Sequence, residues 1–437
     1  EDGTITTYRE TVHHQFISSM ANLTTIANHR EELLQDFYDS RKKAVSAKNT
    51  GKAFVFASQS NTSRLDALAE TLKRQTIEIY KNKKELKLPK ATTSTGDQVT
   101  RQNIPAGSLI VPMKQPLNLL INNILSFDIR LDTKSMEKER QKLMKDQGST
   151  LYDVTAWSLS HAYGTESYYT EAMPKIPMIP YKSSKKEGKL IGKNPKYGWA
   201  IKSNDDQFYH ILARLLENGV KIWCAEETFN VEEEFFPRGS VIIRNNANQG
   251  LNKGLLKKLA FDYGLDIFAV NTALVSSGSD LGSSDFTMLI NPRIAIAAGQ
   301  PISTYSFGAT WHLLDSRMKS RTSLVNIMGL GWQDLSKYNV LILPSGHNLK
   351  RILDDSGINK LKDWIKDGGT LISYSNNAAF LADSSVSISS VRLRRQILNK
   401  LDSYDRDLAF VKQAENVSID SIALWEGGPS EKNQTKE

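Results

Sequence analysis

Residues 28–34 read NHREELL, and within them His29 and Glu32 stand three positions apart in a helical pattern. That spacing lays an imidazole and a carboxylate on one helix face, a placement compatible with holding zinc. A catalytic zinc needs three protein ligands and an open position, and no third histidine with a catalytic glutamate accompanies this pair. The spacing also arises in any charged helix, and Arg30 beside Glu31 and Glu32 explains the acids as mutually solvated. His29 and Glu32 are therefore read as a decoy, and no metal ligand is assigned. His13 and His14 are adjacent, point to different helix faces and are expected at the surface. His161 and His210 fall in apolar stretches, where a hydrogen-bonded core or boundary histidine is the default.

A second set of candidates lies at two strand ends. NVLILP runs into Ser345-Gly346-His347-Asn348, and GTLISYS runs into Asn376 and Asn377 at the start of a helix. Ligands of a doubly wound sheet bind outside the carboxyl ends of its strands. A nucleophile elbow would put its reactive residue at the second junction, which reads Ser373-Tyr374-Ser375-Asn376 with neither Gly-x-Ser-x-Gly nor Gly-x-Cys-x-Gly. Ser345, His347 and Ser375 are the candidate catalytic residues, a serine nucleophile with His347 as its base. The competing reading, that these polar residues finish a strand and cap the next helix, is the stronger.

Other polar clusters carry less. Glu226, Glu227, Glu232, Glu233 and Glu234 lack the alternating ligand spacing of a calcium loop and read as a solvated connection. Asp280 and Asp285 lie in SSGSDLGSSDF, expected to be a tight exposed loop able to touch a ligand. Cys224, the lone cysteine, cannot form an internal disulfide and is read as a buried, inert thiol in the strand VKIWCAEE. Trp157, Tyr163, Tyr168 and Tyr169 could stack on a peptide or cell-wall glycan, although aromatic residues so placed are more often core.

The elements that position these residues fall into blocks. The first fifty residues predict helix, with Phe16, Met20, Leu23, Ala27, Leu34, Phe37 and Tyr38 forming one apolar stripe and Gly51 a stop. Strand AFVFAS, a helix with Leu65, Leu68, Ala69 and Leu72 on one face, and strand IEIYKN follow in a βαβ-type pattern. A polar, threonine-rich loop leads to IPAGSLIVP and the helix QPLNLLINNIL. The order then repeats: strand GWAIKS, helix DQFYHILARLLENG, strand VKIWCAEE, turn and strand FPRGSVIIR, helix NKGLLKKLAFDYG. Pro-x-Gly-Ser before an apolar strand occurs in both copies, which points to duplicated α/β lobes. From Pro292 onward, RIAIAAG, TSLVNIM, NVLILPSG and TLISYS alternate with helical segments, the signature of a doubly wound parallel sheet. VRLRRQILNKLDSYDRDLAFVKQAE reads as a charged amphipathic helix, and GGPSEKNQTKE as a polar, disordered tail.

Composition bounds the reading. The 437 residues are 40% hydrophobic and 24% charged, ordinary for a globular protein of several domains. Lys plus Arg number 56 against 48 acids, but without the aromatic-interleaved basic patch of a nucleic-acid binder. The densest basic stretch, Lys182 to Lys196, reads as a solvated loop. No segment is expected to span a membrane, and no charged-then-apolar leader is present. The chain begins at Glu1, as expected of a mature form or a piece of a longer protein.

The ordered blocks HREELLQDFYDSRKKAV, PAGSLIVPMKQPLNLLINNIL, STLYDVTAWSLSHAYG, FPRGSVII, SDLGSSDF with NPRIAIAAG, TWHLLDSR, and DLSKYNVLILPSG with WIKDGGTLI are diffuse rather than catalytic. Together they resemble the region downstream of the peptidase domain in large bacterial zinc carboxypeptidase (metallocarboxypeptidase) family proteins. The resemblance implies that zinc and proteolysis belong to an upstream peptidase domain, the chain's expected partner, and that this chain holds no cofactor. It also implies that His29 and Glu32 lie in the helix after that domain and inherit no zinc role. It places the protein in the periplasm or outside the cell. The third region is similar to a class I glutamine amidotransferase-like domain, but the nucleophilic cysteine of that domain has no counterpart between Ser373 and Asn376.

The expected fold is thus α/β, with duplicated lobes followed by a doubly wound, flavodoxin-like or amidotransferase-like parallel sheet. The expected segments are a helical 1–50, lobes at 51–150 and 151–291, the doubly wound domain at 292–384, and a C-terminal helix and tail at 385–437. The expected role is an accessory, non-catalytic portion of a zinc carboxypeptidase. The alternatives are a stand-alone amidotransferase-like hydrolase or transferase, or a module binding peptide or cell-wall glycan.

Overall fold

The computed structural model describes residues 7–128, 133–144, 158–183 and 186–393, with positions 396 and 411. Trp157, most of the expected C-terminal helix and the polar tail lie outside the described residues. The chain divides into two compact units, Glu1–Ser184 and Lys185–Glu437.

The first unit opens with α1 (Tyr8–Asn28) and α2 (Arg30–Ala44). A capping box starts α1: the Thr7 hydroxyl accepts the Glu10 N–H at 3.3 Å, and the Glu10 carboxylate accepts the Thr7 N–H at 2.8 Å. The break falls at His29, so the single helix expected up to Gly51 is two helices and a short 3₁₀ turn. The apolar stripe faces no core among the described residues: Phe16 is 62% exposed and Leu34 66%.

After these helices come β1 (Ala53–Phe56), α3 (Thr62–Arg74), β2 (Tyr80–Asn82), β3 (Leu86–Thr93), β4 (Gln98–Ile104), β5 (Leu109–Pro112), α4 (Asn118–Leu125), α5 (Thr133–Met144), α6 (Leu159–Ala162), β6 (Ser167–Thr170) and β7 (Met178–Pro180). The sheet order is β4-β3-β6-β1-β5-β2-β7, with every neighbour antiparallel. β1 is central because all four of its side chains are apolar and buried. Phe54 and Phe56 pack against Leu65, Leu68 and Leu72 of α3 and Ile121 and Leu125 of α4, while Ala53 and Val55 pack against Leu86, Leu88 and Tyr168.

Two expectations change here. The threonine-rich loop is largely the hairpin β3–β4, in which Leu86 and Leu88 are buried on either side of exposed Lys87. Its polar outer face hid a period-two strand. The boundary expected at residue 150 also moves, because β6 and β7 complete the first sheet.

The second unit contains β8 (Leu190–Ile191), β9 (Gly198–Ile201), α7 (Gln207–Glu217), β10 (Trp223–Ala225), β11 (Phe229–Val231), β12 (Glu234–Phe236), β13 (Val241–Arg244), α8 (Lys253–Tyr263), β14 (Ile267–Val270) and β15 (Phe286–Met288). Their sheet runs β15-β10-β13-β9-β14-β8, with β11 and β12 in a separate hairpin. The order β14-β9-β13-β10-β15 repeats β6-β1-β5-β2-β7 strand for strand.

The register repeats as well. Ala53–Phe56 face Pro112–Leu109 on one side and Thr170–Ser167 on the other. Gly198–Ile201 face Arg244–Val241 and Val270–Ile267 in the same alignment. Each lobe is a β-α-β-β-α-β unit whose strands lie in the ferredoxin-like order fourth-first-third-second. The βαβ pattern is therefore of the split kind: an antiparallel strand lies between the two strands that each helix joins.

The same unit continues with β16 (Ile294–Ala298), α9 (Thr304–Trp311), β17 (Thr322–Asn326), β18 (Val340–Leu343), α10 (Asp355–Lys366), β19 (Thr370–Ser373) and α11 (Ser375–Ala382). These strands form a four-stranded parallel sheet in the order β17-β16-β18-β19. Ile358 and Leu361 of α10 and Leu381 of α11 pack with Ala295, Ala297, Leu341 and Leu343. Leu314, in the π-helical turn after α9, packs with Ile294, Ile296 and Ile342 on the other face. The protein is thus mixed α/β with several sheets, one of them parallel, whose second face is covered at its centre and leaves Leu324 and Ile372 of the edge strands exposed.

Candidate functional site

The carboxyl edge of the parallel sheet collects the serine and histidine candidates. β18 ends at Leu343, and the Ser345 N–H donates to the Ser306 hydroxyl at 2.9 Å while the Ser345 carbonyl accepts the Ser303 N–H at 2.8 Å. Ser303 also caps α9 through the Ser306 N–H at 3.4 Å. The loop is held from the far side by the His347 N–H, which donates to the Pro301 carbonyl at 3.2 Å.

β19 passes directly into α11. Ser375, the first helical residue, has φ +57° in the left-handed region that disfavours side chains. Asn377, only 2% exposed, donates its amide to the Pro344 carbonyl at 2.6 Å and ties α11 to the end of β18. The Ser373 hydroxyl donates to the Leu343 carbonyl at 3.2 Å. Tyr374 reaches across to α9, where its hydroxyl bonds Thr310 and donates to the Ser306 carbonyl at 3.3 Å.

Ser345, His347 and Ser375 therefore share one edge, but not as a nucleophile and base. His347 Nδ1 lies 3.4 Å from Asn376 Nδ2, a long contact in which the amide is the donor. Among the described residues neither serine hydroxyl bonds His347. Asn377 stands at the strand end marked from sequence, whereas Ser303 and Ser306, which also build this edge, were not singled out. The Ser-x-x-Ser cap ahead of α9 was their one local signal.

The other candidates are dispersed. His29 Nδ1 and Glu32 Oε2 lie 3.0 Å apart with side chains 55% and 78% exposed, an exposed pair on one helix face. Among the described residues no group of three or more His, Cys, Asp or Glu side chains is arranged to hold a metal ion. His13 and His14 are both exposed, with ring centroids 6.5 Å apart. His161 is exposed beside Phe127, contrary to the core or boundary position expected, because short α6 leaves its ring on the surface. His210 is half-buried against Tyr263, a boundary position.

Cys224 is half-buried in β10, and burial first, then Glu226, pushes its thiol pKa up, away from a reactive thiolate. The acidic run is a hairpin rather than a plain connection: Glu232 and Glu233, at φ +50° and +68°, form the two-residue turn between β11 and β12. Glu232 accepts the Asn271 N–H at 2.9 Å, and Glu234 pairs with Lys202 at 2.6 Å. Asp280 and Asp285 tie their loop to itself through the Val275 N–H and the Ser279 hydroxyl. Tyr168 is buried, Tyr163 bonds Thr71 at 2.6 Å, and Tyr169 packs on Phe54, so all three serve the first lobe.

The molecule so defined is an α/β protein of two like lobes and a parallel sheet whose carboxyl edge is built from short polar side chains. No family model, curated protein or solved structure matches the chain. No helix among the described residues is long and apolar enough to cross a membrane.

Proposed function

We propose that this chain is the accessory, non-catalytic portion of a periplasmic or secreted zinc carboxypeptidase family protein. Its upstream peptidase domain would hydrolyse C-terminal peptide bonds with a zinc-activated water. The parallel sheet is read as a flavodoxin-like or amidotransferase-like domain, a reading that its strand order of second, first, third and fourth supports. Its carboxyl edge would hold a peptide or cell-wall ligand without converting it. The observation that supports the non-catalytic reading is that, among the described residues, neither the Ser345 nor the Ser375 hydroxyl bonds His347, whose Nδ1 faces the Asn376 amide.

The test is to purify the 437-residue chain and measure its zinc content, carboxypeptidase turnover and glutaminase turnover. The expected result is no turnover above a buffer blank. Stoichiometric zinc with robust peptide hydrolysis would overturn the proposal.

One observation favours a second reading, a serine hydrolase or transferase on the same sheet. Ser375 stands at φ +57° on a strand-to-helix turn, the backbone setting of a nucleophile elbow. A fluorophosphonate probe discriminates the two. A stoichiometric adduct at Ser375, absent in Ser375→Ala, would establish the hydrolase, whereas a binding edge gives none.

A further inference from the structure

At the opposite, amino-terminal edge of the parallel sheet a cavity of about 320 Å³ opens against the end of α7. Cations from three chain segments line it. Arg293 immediately precedes β16, Arg321 immediately precedes β17, and Lys337 lies in the loop entering β18. Parallel pairing of β17, β16 and β18 brings these separate positions to one edge.

The charges are only partly offset there. Arg293 Nε donates to the Lys337 carbonyl at 2.9 Å, which fixes the guanidinium and leaves its two terminal nitrogens without a hydrogen bond among the described residues. Neither the Arg321 guanidinium nor the Lys337 ammonium makes a direct ion pair among the described residues; Asp334, on which Lys337 acts at longer range, is held by the Ser336 N–H at 2.9 Å. Glu217, the acid lining the cavity, is already engaged by Arg214 at 2.6 Å and by the Arg321 N–H at 3.3 Å. Ser320, Thr322 and Ser323 also line the space, with Ile294 and Pro292 as its apolar part.

We propose that this cleft binds a small phosphate-class oxyanion, free or carried on a small molecule, through Arg293, Arg321 and Lys337. Three cations against one lining carboxylate give the cleft a net positive field that attracts an anion. Arginine offers planar paired donors that match phosphate oxygens, and lysine adds a point charge. The volume falls at the small end of ligand sites, about 300 to 1,000 Å³. The competing account is that the cations only offset the negative end of α7.

The test is isothermal titration of the full chain with inorganic pyrophosphate, and separately with inorganic phosphate, at ionic strength held constant with chloride. Saturable binding is expected, weakened about tenfold or more in Arg321→Ala and in Lys337→Ala and unchanged in Lys87→Ala on the first lobe. Arg321→Lys, which keeps the charge but loses the paired donors, is expected to fall between and serves if the alanine variant fails to fold. Preference for pyrophosphate over phosphate would assign a phosphorylated small molecule, and equal affinity the free ion. Absence of saturable binding, or equal affinity in Arg321→Lys, Lys337→Ala and the unaltered chain, would overturn the proposal and leave the cations to the end of α7.

Discussion

Ser108 and Ser240 are held by the same hydrogen bonds in two different lobes. Each hydroxyl donates to the carbonyl of the proline three residues earlier, Pro105 at 2.8 Å and Pro237 at 2.6 Å. Each accepts the N–H of a serine just beyond the first strand of its lobe, Ser58 at 2.8 Å and Ser203 at 3.3 Å. Both are buried, and the glycine before each has φ close to +85°. The Pro-x-Gly-Ser repeat is thus a repeated connection that locks one strand end to another. Replacing either serine with alanine strands a partly buried N–H, at a cost of about 1–3 kcal/mol. Urea unfolding of Ser108→Ala and Ser240→Ala should show similar losses, and an unchanged midpoint would mean that water replaces the hydroxyl.

Gly198 occupies the position in the second lobe that Ala53 occupies in the first. The equivalence does not extend to space, because a Cβ on Gly198 would lie 2.2 Å from the Ile243 carbonyl oxygen. Gly198→Ala is expected to destabilise by about 1–3 kcal/mol or more through forced backbone movement. Thermal unfolding of this variant beside Ala53→Gly would reveal whether the two sites have diverged as the geometry requires.

Alkaline pH should weaken the fold. Burial raises the pKa of Tyr80, Tyr168, Tyr169 and Tyr181 in the first unit and of Tyr197 in the second. Above about pH 10 the unfolded chain releases these protons while the folded chain keeps them, so the unfolded state binds fewer. The contribution is complete below that pH and disappears as pH rises through the folded values. Cys224 adds the same sign from about pH 8.5. Urea midpoints should fall between pH 9 and 11, and less steeply in Tyr168→Phe; a flat profile would contradict the burial argument.

Ser375 carries a backbone cost that glycine would not. Ser375→Gly should raise stability by up to about 1 kcal/mol, since the left-handed conformation penalises a Cβ. Ser373→Gly, two residues earlier, should lower it by removing the bond to the Leu343 carbonyl. Equilibrium denaturation of the pair separates the effects, and a large loss in Ser375→Gly would point to an interaction of its hydroxyl.

Replacing both His29 and Glu32 with alanine should leave the fold unchanged and any metal content of a longer protein intact. Their one described side-chain partner is each other, on an exposed surface. Elemental analysis and circular dichroism are the measurements, and a loss of bound zinc would restore the pair as ligands.

The strands and helices were legible because burial imposes a local period on residue type. Leu65, Leu68, Ala69 and Leu72 recur at helical spacing and are buried, and AFVF is apolar throughout because its strand is covered on both faces. The hairpin β3–β4 was less legible, since its exposed face is lysine, threonine and glutamine and only scattered residues, Leu86, Leu88, Ala91, Val99 and Ile104, mark the inner one. The stripe on α1 and α2 is a true helical pattern, yet periodicity cannot say whether anything covers it.

Local sequence therefore determined the apolar strands and amphipathic helices, their order and the repetition of one lobe, though not the hairpins β3–β4 and β11–β12, because period and turn chemistry are properties of neighbouring residues. Tertiary structure alone decided that the crossovers are split by an antiparallel strand and that β6 and β7 belong to the first sheet. It also decided that His347 meets an asparagine instead of a serine, and that Arg293, Arg321 and Lys337 share one cavity. Those relationships join residues far apart in the chain, and only strand pairing and packing fix which of them meet.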